Sequence, residues 1–203
     1  IFVSASAGNS GPNPTTLDHA SPWYSTVANT TIPNYEATIT LPNGDLIPGA
    51  SITVDMSADA EPFSGPLVYA GDIPAEGASA ADAALCLPDT LAPVAEGTIV
   101  LCDRGNNARV EKSDVVAAAG GAGMILGNPT PNSIDLDDHV IPTVHIDAAY
   151  YAQVLAVAQA EPSQTVTFTA GNTSGIETPA PIVAASSSRG PVEADGNDVI
   201  KPD

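Results

Sequence analysis

The chain has 203 residues and sets 24 Asp and Glu against 5 Lys and Arg, a formal net charge of −19. Such a surface repels nucleic-acid phosphates and anionic lipid headgroups, and no apolar run approaches the roughly 20 residues of a membrane span, so neither partner class is expected. Hydrophobic residues make up 43%, enough for a core, but aromatics only 4%, so the interior must be built from Ala, Val, Ile and Leu in many small contacts.

Along the chain, Ile1-Phe2-Val3 reads as the middle of a buried strand, and Ser6-Ala7-Gly8-Asn9-Ser10-Gly11-Pro12 as turn chemistry after it. Residues 35–54 read as a hairpin: Ile39 and Leu41 alternate with Thr38 and Thr40, Asn43-Gly44 marks a tight turn, and Leu46-Ile47 begin the return. Gly97-Thr98-Ile99-Val100-Leu101-Cys102 is a buried strand rich in β-branched residues. A helix is predicted from Asn107 or a neighbour through Val110, Val115 and Val116, ending at Gly120-Gly121 as a C-terminal cap. Gly123-Met124-Ile125-Leu126 gives a second buried strand and Ile141 to Ile146 a third; Asp147 then caps a helix through Tyr150, Val154, Leu155 and Val157. Thr165 to Thr169 alternates as a closing strand, and Pro179, Pro181, Pro191 and Pro202 mark an extended path beyond it.

Three groups of residues could carry chemistry. Asn9 is a neutral amide on a turn, a group suited to donate to an oxygen that gains charge in a reaction. Asp135, Asp137, Asp138 and His139 resemble a metal cluster, yet an EF-hand numbered from Asp135 would need Gly and Glu where Val140 and Ile146 stand. A solvated acidic loop is therefore expected, and no metal or cofactor. Cys86 and Cys102, 16 positions apart, are either a disulfide or two buried thiols; no CxxC pair points to zinc.

The opening phrase Ser6 to Pro12, Ser21-Pro22-Trp23 with Thr26-Val27-Ala28, and the closing phrases Ser187-Ser188-Arg189-Gly190-Pro191 and Lys201-Pro202-Asp203 occur in the order found in subtilisin-like serine proteases, which the chain resembles. That resemblance implies that Asn9 lies in the oxyanion hole, that Ser6, Ala7 and Gly8 line the substrate cleft, and that Arg189 and Gly190 are structural. The family's catalytic Asp, His and Ser motifs do not occur here, and none of His19, His139 and His145 stands in a His-Gly-Thr setting. The expectation is an internal fragment of a larger protease, inactive by itself because a triad needs nucleophile, base and orienting acid together.

Residues 97–105, Gly-Thr-Ile-Val-Leu-Cys-Asp-Arg-Gly, place a second resemblance on 61–170: the protease-associated (PA) domain that some subtilases insert ahead of their nucleophile. It implies a mixed α/β class, a swivelling β/β/α domain whose two helices flank a curled β-sheet, set between incomplete pieces of an α/β catalytic domain. The implied layout is 1–60 as host strand and hairpin, 61–170 as PA domain and 171–203 as returning host segment. The resemblance also favours a Cys86–Cys102 disulfide and an extracellular, secreted parent. The implied partner is a protein or peptide substrate, with homodimerisation through the PA domain a further option. The alternative class is a non-catalytic protein-interaction module.

Overall fold

The computed structural model describes residues 1–55, 57, 61–192 and 201–202. They separate into two compact units: residues 1–33 with the described residues from 178 onward, and residues 34–177.

In the first unit, β1 (Ser4–Ser6) lies parallel to β2 (Ser25–Val27), with Ser4 opposite Ser25 and Ser6 opposite Val27. Ile1, Phe2 and Val3 are exposed rather than the middle of a buried strand, and pairing begins only at Ser4. The cause is architectural: a two-stranded sheet has no second layer to take an apolar run out of water.

The second unit is built on one seven-stranded sheet. Its strands are β3 (Ala37–Thr40), β4 (Leu46–Gly49), β5 (Phe63–Tyr69), β6 (Ile99–Asp103), β7 (Gly123–Gly127), β8 (Thr143–Ile146) and β9 (Thr165–Ala170). They lie in the order β4-β3-β9-β5-β6-β7-β8, antiparallel from β4 to β5 and parallel from β5 to β8. The hairpin of residues 35–54 thus pairs directly into the sheet formed by the strands of 61–170. The sheet curls until its ends meet: Ala50 and His145 exchange backbone hydrogen bonds of 2.9 and 2.8 Å. Gly49 permits this approach, since a Cβ there would stand 2.4 Å from Val144 and 2.8 Å from the His145 carbonyl.

Strand alternation sends side chains into two cores. Ile99, Leu101 and Ile125 point to one, with Ile39, Leu67, Val144 and Phe168; Val100, Cys102, Met124 and Leu126 point to the other, with Val116 and Ala83. Both faces of the parallel strands are buried, which is why they read as continuous apolar runs. Helix α3 (Ala148–Ala158) covers the first face through Val154 and Ala158; α1 (Ala80–Ala84) and α2 (Arg109–Ala118) cover the second. Phe168 is fully buried opposite both Ile39 and Phe63, and its ring lies 5.9 Å from that of Phe63. It joins the two halves of the sheet.

Local chemistry sets the helix limits. Asp147 accepts the Ala149 N–H at 3.0 Å as an N-cap, and Gly120 ends α2 at φ +91°, with the Gly121 N–H returning to the Val116 carbonyl at 2.9 Å. Asn107 does not cap α2. The N-cap is Ala108, and the Asn107 side chain turns to Lys112 instead.

Candidate functional site

The turn after β1 is fastened by a segment far away in sequence. The Ala7 N–H donates to the Val27 carbonyl at 2.9 Å, extending the β1/β2 ladder, and Ala7 is buried. Gly8 follows at φ +101°, a conformation that favours glycine; a Cβ there would also lie 2.1 Å from an Asp18 carboxylate oxygen and 2.8 Å from Ser188 Oγ. The Gly8 carbonyl accepts the Ser188 N–H at 3.0 Å, the Ser10 N–H donates to Ser188 Oγ at 2.9 Å, and the Gly11 N–H donates to the Ser186 carbonyl at 3.0 Å. Next to them, the Thr16 N–H donates to the Arg189 carbonyl at 3.0 Å and the Arg189 N–H to Thr16 Oγ1 at 2.9 Å.

Sequence reasoning singled out both phrases, and the structure brings them together. Ser6 is exposed, Ala7 buried and Gly8 half-buried, while Asn9 stands exposed at the head of the turn. Its amide makes no hydrogen bond among the described residues, so a rigid backbone presents an uncommitted donor. Ser188, fully buried, is the residue whose contribution sequence reading did not specify; its place in the Ser-Ser-Arg-Gly-Pro phrase was the signal.

Each histidine has a fixed environment. His19 Nδ1 donates to the Ser6 carbonyl at 2.8 Å, since a carbonyl can only accept. His139 Nδ1 lies 3.2 Å from Ser113 Oγ, but that hydroxyl spends its proton on the Val110 carbonyl at 2.6 Å, so the imidazole is the donor. This is the wrong direction for a base activating a serine. His145 Nδ1 accepts the Asp135 N–H at 3.2 Å, so Nε2 carries the proton and donates to Asn128 Oδ1 at 2.9 Å. Burial, then the positive charges of Arg104 and Arg109, push the His145 pKa down to about 3.

The second unit concentrates polar groups at the carboxy ends of β6 and β7. Asp103 accepts Tyr151 Oη at 2.5 Å and Tyr69 Oη at 3.0 Å; burial, followed by this carboxylate, raises both phenol pKa values. Lys112 is fully buried on the inner face of α2, with Nζ donating to the Gly105 carbonyl at 3.0 Å, to Asn107 Oδ1 at 2.5 Å and to the Leu85 carbonyl. Burial pushes its pKa down to about 8. Sequence reading missed it, although Lys112 precedes buried Val116 by one helical turn and so shares its face.

The acidic loop departs from expectation. Asp137 binds Arg109 through two hydrogen bonds of 2.5 and 3.0 Å, and Asp135 lies 3.3 Å from Arg109 and 4.0 Å from Arg104. The Arg109 hydrogen bond holds the Asp137 carboxyl below its ordinary range. His139 is buried at 8% exposure. Arginines across the sheet edge neutralise what composition alone presents as a solvated run. Cys86 and Cys102 are joined in a disulfide with Cα atoms 5.8 Å apart, both residues fully buried.

Residues 63–153 match the PA domain family. Over its whole length the chain is 39% identical to subtilisin-like protease SBT1.7 of Arabidopsis thaliana, and over 94% of its length 40% identical to subtilisin-like protease SBT1.4 of the same plant. It spans about a quarter of the length of these curated relatives, 26% and 24%. Among solved structures, the aminopeptidase from Aneurinibacillus sp. strain AM-1 covers 71% of this chain with 32% of its own, at 21% identity and a TM-score of 0.45, a likeness too loose to carry an argument. The motif order, the curled PA-type sheet and the end-to-end identity agree: the chain contains a PA domain and is similar along its whole length to part of the subtilisin-like proteases.

Proposed function

We propose that the chain is part of a secreted subtilisin-like serine endopeptidase, in which Asn9 stabilises the oxyanion of the tetrahedral intermediate. Ser6, Ala7 and Gly8 line the cleft for a peptide substrate. The observation that carries this reading is the fastening of residues 8–11 by residues 186–188, with Asn9 left exposed and uncommitted. A donor for a developing charge is most effective when its backbone cannot reorganise, and the Ser188 contacts supply that rigidity. The Cys86–Cys102 disulfide supports an oxidising, extracellular location.

Taken alone, the 203 residues are expected to bind rather than cleave, because none of the three histidines accepts a proton from a serine among the described residues. The β3–β9 register supports including the hairpin with 61–170 in one inserted unit flanked by host segments. We assign that unit to substrate recognition or access. Homodimerisation through it is the variant reading, which the charge of −19 opposes at low salt. The test is a serine-directed covalent probe on the full-length protease and on the 203-residue chain. Labelling and cleavage by the full-length protein alone support the proposal; a full-length protein that folds without labelling or cleaving makes the chain part of a non-catalytic interaction protein.

A further inference from the structure

Three of the chain's five Lys and Arg residues, Arg104, Arg109 and Lys112, fall within nine positions, in a protein of charge −19. Arg104 and Arg109 line a cavity of about 350 Å³ at the carboxy ends of β6 and β7, together with Asn106, Thr130 and Asn132 among others, and Lys112 is buried behind its wall. The cavity is walled by the loops that follow these two parallel strands, residues 104–109 after β6 and 128–132 after β7.

Both walls of the cavity are held open from behind. On one side, Lys112 pins the loop of residues 105–107 to the Leu85 carbonyl, beside the disulfide. On the other, Asn128 Nδ2 donates to the carbonyls of Asn132 and Ser133 at 3.3 and 3.0 Å, and His145 holds Asn128 from below. The side chains that could fill the space are tied into its walls.

The two guanidiniums differ in occupancy. Asp137 satisfies Arg109 bidentately, whereas Arg104 has one 3.3 Å hydrogen bond to Ser133 Oγ and a carboxylate 4.0 Å away. That carboxylate, Asp135, is shared with Arg109 and Ser133 and is about one-third exposed. Burial, then the neighbouring Arg109, disfavour the charge on Arg104, and Asp135 and Asp137 offset this only in part, so Arg104 is the less satisfied of the two. Helix α2 starts in the same wall with no side-chain cap, which adds positive potential.

We infer that this cavity binds a carboxylate-bearing peptide, with Arg104 as the anion contact and Asp135 as the internal carboxylate that the ligand displaces. A carboxylate can engage a guanidinium through two parallel hydrogen bonds, which Asp135 at 4.0 Å does not achieve on Arg104. Asn106, Thr130 and Asn132 offer amide and hydroxyl groups for the adjoining peptide bonds. The inference rests on the assignment of this unit to substrate recognition.

The test is an amide chemical-shift titration of the 203-residue chain with three probes: acetyl-Ala-Gly with a free carboxylate, the same dipeptide as its amide, and acetyl-Asp-Gly-amide. Saturable shifts at residues 104–110 and 128–132 with a carboxylate probe, absent with the acetyl-Ala-Gly amide, support the site. Which carboxylate probe binds tells a chain terminus from an acidic side chain. Arg104→Ala weakens binding on the order of tenfold, the worth of a charge-assisted pair. Asp135→Asn tightens it by removing the competitor, and decides the matter if the arginine variant does not fold. Equal binding of the neutral amide, weaker binding in Asp135→Asn, or no saturable shift with either carboxylate overturns the inference. Serine-probe labelling of the full-length protein is unaffected by that failure, so the protease reading is judged separately.

Discussion

The Ser10 N–H donates to Ser188 Oγ at 2.9 Å across 178 residues of chain, and the Ser188 N–H donates in turn to the Gly8 carbonyl at 3.0 Å. Two short polar phrases at opposite ends of the sequence thus form one backbone-rigid turn, and Asn9 stands between the fastened positions.

Ser188→Ala therefore removes one hydrogen bond and leaves the Ser10 N–H unpaired, at an expected cost of about 1–2 kcal/mol. Gly8→Ala should cost at least as much, because its Cβ meets the Asp18 carboxylate at 2.1 Å at a φ of +101°. Urea unfolding of both variants against wild type checks the two values. A Ser188→Ala midpoint equal to wild type would show that the fastening has no energetic weight.

The disulfide and Lys112 act on the same loops. Reduction of Cys86–Cys102 should lower stability by roughly 3 kcal/mol in the chain-entropy picture of a loop this size. Lys112→Met strands the carbonyls of Leu85 and Gly105 and the Asn107 amide oxygen, and should cost about 2–4 kcal/mol. Because both fasten the segment at Leu85 and Cys86, the two losses should fall short of additive when combined. Denaturation of wild type and variant, each oxidised and reduced, gives the four values required.

Acid should destabilise the protein before its carboxylates titrate. His145 is neutral in the fold with its pKa pushed down to about 3, and His139 is also lowered, chiefly by burial. Below the unfolded value of about 6.5 the unfolded chain binds protons that the folded chain refuses. Stability is thus fully present above pH 6.5 and falls as the pH drops towards 3, by up to about 1.4 kcal/mol per pH unit from His145, with His139 adding loss in the same direction. The Asp137 carboxyl, held low by Arg109, adds loss in the same direction only below its unfolded range, so pH 6.5 to 4.5 isolates the histidines. Unfolding free energies across that window should decline, and His145→Gln should flatten the decline.

The sequence made the buried parallel strands legible because both of their faces are covered: Ile99 to Cys102 and Gly123 to Leu126 are unbroken apolar runs feeding two cores. Strand β5 was not legible. Pro66 sits at its centre, where a proline argues against a strand, and is tolerated because pairing changes there from antiparallel with β9 to parallel with β6 at Leu67. The short α1 went unread for want of length, though Ser79 caps it through the Asp82 N–H at 3.1 Å. Asn9 was visible as a motif, whereas the groups around the cavity were not. Lys112 and Arg104 acquire meaning only when the curled sheet brings Leu85, Ser133 and Asp135 to them, and such long-range polar pairing leaves no period in the sequence.

The most direct measurement is kcat for Asn9→Ala in the full-length protease, with active enzyme counted by the serine-directed probe. The expected result is normal labelling stoichiometry and folding, KM close to wild type, and kcat lower by roughly 10²–10³-fold, the loss known for a subtilisin deprived of one oxyanion donor. A kcat within about twofold of wild type would contradict the assignment of Asn9 to the oxyanion hole and leave the fastened turn a structural feature only.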